Sequence, residues 1–106
     1  MYIPLERNLT RKYFRELLAR AIELTEKEIE ATPSLLIYKS ILNQLYDINK
    51  RVVEEGRTFS NEEAHQRYTI GTIAIRYFDG YEGFEYADIL TDISYGISKY
   101  SNIPES

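Results

Sequence analysis

The sequence predicts an all-α fold, a single compact four-helix bundle-like domain over residues 1–106, from three observations. Apolar residues recur at the 3.6-residue spacing of amphipathic helices along most of the chain. Proline, glycine and capping residues divide the chain into four such stretches. The chain has no cysteine, so its core must hold without disulfides, and 106 residues are enough to bury one modest core.

The first two helices are expected over residues 9–31 and 33–55. Thr32 followed by Pro33 is typical of an N-cap and a first helical residue, and Gly56 is typical of the residue after a helix end. Because the connection is so short, the two helices should be antiparallel neighbours. Their apolar stripes are Phe14, Leu17, Leu18, Ala21, Ile22 and Ile29, then Leu35, Tyr38, Ile41, Leu42, Leu45, Ile48 and Val52.

The third helix is expected over residues 61–78, because Ser60 and Glu63 have the spacing of a capping box. Its second half, residues 68–75, is apolar nearly all round, which indicates a helix buried on more than one side. Gly71 costs about 1 kcal/mol relative to alanine in a helix, so its presence predicts close approach of another helix or of a partner. The β-branched residues of this stretch would also suit a strand, but no second strand is available for pairing.

The fourth helix is expected over residues 84–100, after a turn at residues 79–83, and residues 101–106 are expected to form a loose tail. Residues 77–106 contain six acids and one base. This part of the chain therefore accounts for the whole net charge of −4. Such an asymmetry of charge gives information about a partner or about solubility, and not about the fold.

The composition argues against several classes of function. A balance of 17 acids against 13 bases argues against general nucleic-acid binding. No apolar run approaches the ~18 residues of a membrane span, and the N-terminus lacks the pattern of a signal peptide. The absence of cysteine excludes thiolate chemistry, and a single histidine argues against a histidine metal centre. We therefore expect a cytoplasmic protein that is not an enzyme and takes no cofactor, metal or small-molecule substrate.

Two short motifs permit a functional interpretation but favour a structural one. Glu62 and His65 have the spacing used by di-metal helical bundles, yet a chain with one histidine cannot supply the second copy that such a site needs. His65 is expected to be a surface or hydrogen-bonding residue. Residues 80–83 look like a glycine-rich phosphate loop, but no Lys-Ser/Thr pair follows and the neighbouring acids would repel phosphate. A turn is expected there.

The segment from residue 77 to residue 100 interleaves acids with aromatic residues, and its one base is Lys99. This combination is typical of a docking surface for a cationic protein, because charge speeds the encounter and buried rings supply affinity. The alternative is a solvated acidic surface above ordinary core aromatics. The residues predicted to bind the partner are Tyr77, Asp79, Tyr81, Glu82, Glu85, Asp88 and Asp92.

Residues 65–79 form the string HQRYTIGTIAIRYFD. This string resembles the core of a family of small helical immunity proteins encoded beside type VI secretion effectors whose toxin domains hydrolyse NAD(P). Weaker matches cover residues 92–97, residues 35–36 and residues 39–46. The likeness thus extends over about residues 33–100 and is sharpest at residues 65–79.

The resemblance implies an all-helical antitoxin with no catalysis of its own. Such a protein would bind a cognate toxin domain, one to one, and cover its active-site cleft so that NAD is kept out. The resemblance assigns no contact residues, so the seven residues above come from the charge and tyrosine pattern alone. The alternative is a helical adaptor or oligomerisation module without a toxin partner. A neighbouring gene for a modular protein ending in a toxin domain would favour the antitoxin.

Overall fold

Helices form the framework of the computed structural model, which describes residues 2–78 and 85–106. The all-α prediction is confirmed. Short 3-10 turns at Leu5–Arg7 and Tyr100–Asn102 flank the helices, and a π-helical segment, Asn49–Glu54, continues the second helix. The helices are α1 (Arg11–Ala31), α2 (Leu36–Ile48), α3 (Asn61–Arg67), α4 (Ile70–Phe78) and α5 (Glu85–Gly96).

Helix α1 begins where Thr10 accepts a hydrogen bond from the Tyr13 backbone N–H through its side chain, as an N-cap does. The helix packs against α2 and α5. Its buried face follows the predicted stripe over its first three turns, because a stripe at helical spacing buries one side of the helix. The buried residues are Phe14, Leu17, Leu18, Ala21 and Thr25.

The predicted start of the second helix is wrong by one turn. Thr32 is the C-cap of α1: its backbone N–H and its hydroxyl both donate to the Glu28 carbonyl, at 2.8 and 2.9 Å. The Thr32 hydroxyl is therefore engaged in closing α1 and does not cap α2, which begins at Leu36 with Leu35 as its N-cap residue. At the other end Gly56 has a φ of +69°, in agreement with its predicted place after the helix end.

The predicted continuous helix over residues 61–78 is wrong, because the chain breaks into α3 and α4 at Tyr68, whose backbone is extended. The capping box of Ser60 and Glu63 is present as predicted. The break follows from hydrogen bonds that side chains of α2 accept from Tyr68 and Thr69. The Tyr68 phenol donates to Asp47 at 2.7 Å, and the Thr69 N–H donates to the Gln44 side-chain oxygen at 2.7 Å.

Helix α4 is not buried on more than one side, contrary to the prediction from its apolar sequence. Ile70 and Ala74 are buried, but Ile75 and Tyr77 are 62% and 61% exposed. The expectation about Gly71 agrees with the structure, since a Cβ placed there would lie 2.6 Å from the Ser94 hydroxyl oxygen of α5. The glycine lets α4 and α5 approach closely along one side, whereas Ile75 and Tyr77 face outward.

The C-terminal residues are docked and do not form the loose tail that was predicted. The first backbone N–H groups of an α-helix lack acceptors within the helix, and the tail supplies them. The Arg11 N–H donates to the Pro104 carbonyl at 2.8 Å, and the Lys12 N–H donates to the Glu105 carbonyl at 3.0 Å. Ile103 is buried and the Arg15 guanidinium pairs with the Glu105 carboxylate. The tail thus completes the N-terminus of α1.

Within the described ranges, no helix combines the length and the apolar character that crossing a membrane requires.

Candidate functional site

An apolar groove lies between the start of α2 and the end of α4. We call it the α2–α4 groove; it has a volume of about 790 Å³. Leu36 is 71% exposed, Tyr77 61% and Leu35 50%, which is unusual for side chains of this size. Contiguous exposed apolar surface of this kind marks interaction sites on soluble proteins. The lining residues are Ser34, Leu35, Leu36, Ile37, Tyr38, Ile73, Tyr77 and Phe78.

Aromatic rings from three helices support the floor of the groove. The ring centroids of Tyr38 and Phe78 lie 6.2 Å apart, and Tyr86 of α5 lies 5.6 Å from Phe78 and 6.3 Å from Tyr38. The Tyr86 phenol is within 2.7 Å of the buried Thr25 hydroxyl of α1. Burial raises the pKa of Tyr86 to about 12. Contacts among four of the five helices, α1, α2, α4 and α5, thus hold the rings of the floor together.

The groove residue Leu35 occupies a position where the fold would favour a polar residue. Leu35 is the N-cap of α2, has an extended backbone and provides no side-chain hydrogen bond to the first turn. Leucine is among the least favoured N-cap residues, and a serine, asparagine or aspartate there is worth about 1 kcal/mol more. Leu35 is also half exposed. The side chain therefore contributes little to the fold at this position.

A polar network fixes the start of α4 against α2. The Asp47 carboxylate accepts hydrogen bonds from the Tyr68 phenol at 2.7 Å, from Arg51 at 2.9 Å and from Arg67 at 3.3 Å. Burial alone would raise the pKa of Asp47, but the bonds from Tyr68 and Arg51 outweigh it and bring that pKa below its ordinary value. Burial, followed by the bond to Asp47, raises the pKa of Tyr68 to about 12. The network holds the break between α3 and α4 in place.

We expect Asp47→Asn to lower the free energy of unfolding by about 1–3 kcal/mol near neutral pH, because the amide has no charge and keeps only one of the two acceptor oxygens that Arg51, Arg67 and Tyr68 use. A carboxylate with a lowered folded-state pKa stabilises the fold above its unfolded pKa of about 4, and this stabilisation is lost as the pH falls through the lowered value. Urea denaturation of both proteins at about pH 7 and about pH 3 measures the difference. The difference in free energy of unfolding between the two proteins should be smaller at the acid pH. An equal difference at both pH values would contradict the stabilising role of the Asp47 carboxylate.

The structure separates the seven residues that the sequence predicts as partner contacts. Tyr77 lines the α2–α4 groove, whereas Glu85 and Asp88 are exposed on α5. The predicted residues Asp79, Tyr81 and Glu82 lie outside the described residues.

Asp92 forms structural hydrogen bonds that were not predicted from the sequence. It is half-buried, and its carboxylate accepts hydrogen bonds from the Leu5 backbone N–H, at 3.0 Å, and from the Tyr2 phenol. Burial, and then the hydrogen bond to the Asp92 carboxylate, raise the pKa of Tyr2. Asp92 thus fastens the N-terminal segment to α5 through its Oδ2 atom.

The groove residues Leu35 and Leu36 were not predicted as a site. Leu35 is predicted in the core stripe of the second helix, and the structure corrects this because Leu35 is half exposed. The pair of adjacent leucines gave no signal, since Leu17 and Leu18 are also adjacent and both are buried in α1. Tyr77 was predicted as a contact, and in the structure it lines the same groove as Leu35 and Leu36.

A second, smaller groove of about 370 Å³ lies between α4 and α5 and includes His65, Ile75 and Tyr95. The Lys99 ammonium lies 4.5 Å from the centre of the Tyr95 ring. His65 and Glu62 are both exposed on α3. The described residues include no group of three or more His, Cys, Asp or Glu side chains that could hold a metal ion.

Comparison with known proteins gives one match. No curated protein and no solved structure matches the chain. The family model described as Tsi6 matches residues 13–99, which include α1 to α5 except for the first two residues of α1. Tsi6 is the type VI secretion immunity protein against the NAD glycohydrolase toxin Tse6. Because this family model matches most of the chain, the chain belongs to the Tsi6 family of type VI secretion immunity proteins.

Proposed function

We propose that this protein binds the domain of a secreted NAD(P)-degrading toxin in the cytoplasm, one to one, and covers the toxin's active site. It performs no catalysis of its own. Membership of the immunity family supports a toxin as the partner. The single observation that carries the mode of action is the α2–α4 groove, because it is a large exposed apolar surface on a rigid helical frame.

The groove suits the centre of a tight interface. Interface cores are apolar and rich in aromatic residues, and a few buried anchors supply most of the binding energy. Leu36 and Tyr77 are the most exposed of the groove residues and have the most surface to lose on binding. Because the aromatic floor is already fixed by contacts among the four helices, little conformational freedom is lost on association. An antitoxin needs this low entropic cost of binding, because even a small fraction of free toxin is harmful.

The acidic residues of α5 stay a prediction as toxin contacts. Glu85 and Asp88 are exposed and near the end of α4, as the close approach of the Phe78 and Tyr86 rings indicates. Reversing both charges, with Glu85→Lys and Asp88→Lys, is expected to slow association with the toxin at low salt, and high salt should remove the difference.

The test of the proposed function uses the toxin domain encoded beside this gene. The purified toxin is mixed with NAD and increasing amounts of this protein, and NAD is measured over time. We expect NAD loss to stop at equimolar protein, and native mass spectrometry to show a one-to-one complex. A stable complex that still consumes NAD would overturn the covering of the active site. Consumption of NAD by this protein alone would overturn the absence of catalysis.

A further inference from the structure

The two segments that line the α2–α4 groove differ in charge from the rest of this acidic chain. Residues 33–46 contain one base, Lys39, and no acid. Residues 64–78 likewise contain no acid, and their bases include Arg76 beside Tyr77. The protein as a whole has a net charge of −4. The two segments that line the groove are therefore locally cationic in the sequence of an anionic protein.

Lys39 and Arg76 do not line the groove, but helical spacing places each of them beside a residue that does. Residues three or four apart in a helix share a face, and Lys39 follows Leu36 by three positions and Leu35 by four. Arg76 follows the groove residue Ile73 by three positions. Both cations are exposed, and neither forms an ion pair within residues 2–78 and 85–106. Some of the other bases do form ion pairs, as Arg51 and Arg67 do with Asp47. Among the described residues, Lys39 and Arg76 are thus two exposed cations without an ion pair on the two helices that form the groove.

The leucine at the N-cap of α2 supports a binding role for this edge of the groove. A polar residue at position 35 would hydrogen-bond to the first turn of the helix, and Leu35 does not. The side chain is half exposed, so burial in the free protein does not account for it. A contact with a partner accounts for Leu35, because the free energy of binding becomes more favourable when a partner removes exposed apolar surface from water.

We propose that the α2–α4 groove receives an apolar segment of the toxin that carries a carboxylate. The apolar side chains of that segment contact Leu35, Leu36 and Tyr77, and its carboxylate pairs with Lys39 or Arg76. This inference rests on the proposed function and adds the chemistry of the toxin surface that is recognised.

The first experiment compares two substitutions at one position, Leu35→Asn and Leu35→Asp. Asparagine and aspartate are equally good N-caps and almost the same shape, and they differ in charge. In both variants the new cap offsets the lost apolar contact, so the Tm should not fall. Both should bind the toxin about tenfold more weakly than the wild type. The aspartate variant should bind several-fold more weakly than the asparagine variant, and salt should reduce that gap.

The second experiment neutralises the two cations with Lys39→Gln and Arg76→Gln. We expect the pair of substitutions to lower the association rate constant at least about tenfold at low salt, and to flatten its dependence on salt. Lys50→Gln is the matched control. It removes one exposed cation from the π-helical segment, about 22 Å from Leu35 along the helix axis. The control should associate at the wild-type rate.

The outcomes separate this inference from the proposed function. If the wild-type protein neutralises the toxin while the two variants of position 35 bind equally well, the acidic segment is refuted and the antitoxin function stands. Tighter binding by Leu35→Asp than by Leu35→Asn would show that the toxin presents a cation there, and would also refute it. A fall in Tm for both variants with unchanged affinity would assign Leu35 to the fold. Failure of the wild-type protein to bind the toxin would refute the proposed function itself.

Discussion

Replacing Leu36 and Tyr77 together by alanine is expected to raise the Kd for the toxin at least about 30-fold, which corresponds to about 2 kcal/mol. Both side chains are more than half exposed in the free protein, at 71% and 61%, so their loss should change the Tm little. The expected loss follows from their position over the aromatic floor, where a partner would bury them completely. Isothermal titration calorimetry measures the Kd, and differential scanning calorimetry measures the Tm.

The matched control is Ile75→Ala, on the same helix as Tyr77. Ile75 is 62% exposed, almost the same as Tyr77, but it faces the smaller groove between α4 and α5. Its replacement should leave the Kd within about threefold of the wild-type value. If Ile75→Ala weakened binding and the double alanine variant did not, the toxin would dock on the α4–α5 side. The toxin would then contact the side of α4 that carries Ile75 and not the side that carries Tyr77.

The sequence predicted the helices well where local signals determine them. The stripe of α1 and the capping box of Ser60 and Glu63 both appear in the structure, because spacing and capping act over a few residues. The break at Tyr68 was not predictable in this way. It depends on Asp47 and Gln44, which are more than twenty residues away along the chain and reach Tyr68 and Thr69 through space.

The candidate site was predicted only in part, for a related reason. An apolar helix can be buried by its own protein or left for a partner, and composition does not distinguish the two. The sequence predicted burial for the second half of the third helix, and the structure leaves Ile75 and Tyr77 outside. Tyr77 was identified because tyrosines favour interfaces. Leu36 could not be paired with it, because the two lie on separate helices.

The last prediction concerns the packing of α5 against the N-terminal half of the chain. A Cβ placed on Gly96 would lie 2.7 Å from a ring carbon of Phe14 and 2.8 Å from a methyl carbon of Leu5. Both neighbours are fully buried, so neither has space to withdraw. We expect Gly96→Ala to lower the free energy of unfolding by about 2–3 kcal/mol, as other overpacked cores do. Urea denaturation measures the loss, with Gly56→Ala, which meets no atom within 4 Å, as a strain-only comparison.

A double substitution tests whether the crowding at Gly96 is the cause. Phe14→Leu alone should also destabilise the protein, by about 1 kcal/mol or more, because it leaves space in the core. Combined with Gly96→Ala, the smaller side chain makes room for the new methyl group. The double variant should therefore lose less stability than the two single variants added together, by at least about 1 kcal/mol. If the losses of the two single variants simply added in the double variant, crowding against Phe14 would not be what excludes a side chain at Gly96. The destabilisation by Gly96→Ala would then come from the backbone at the end of α5.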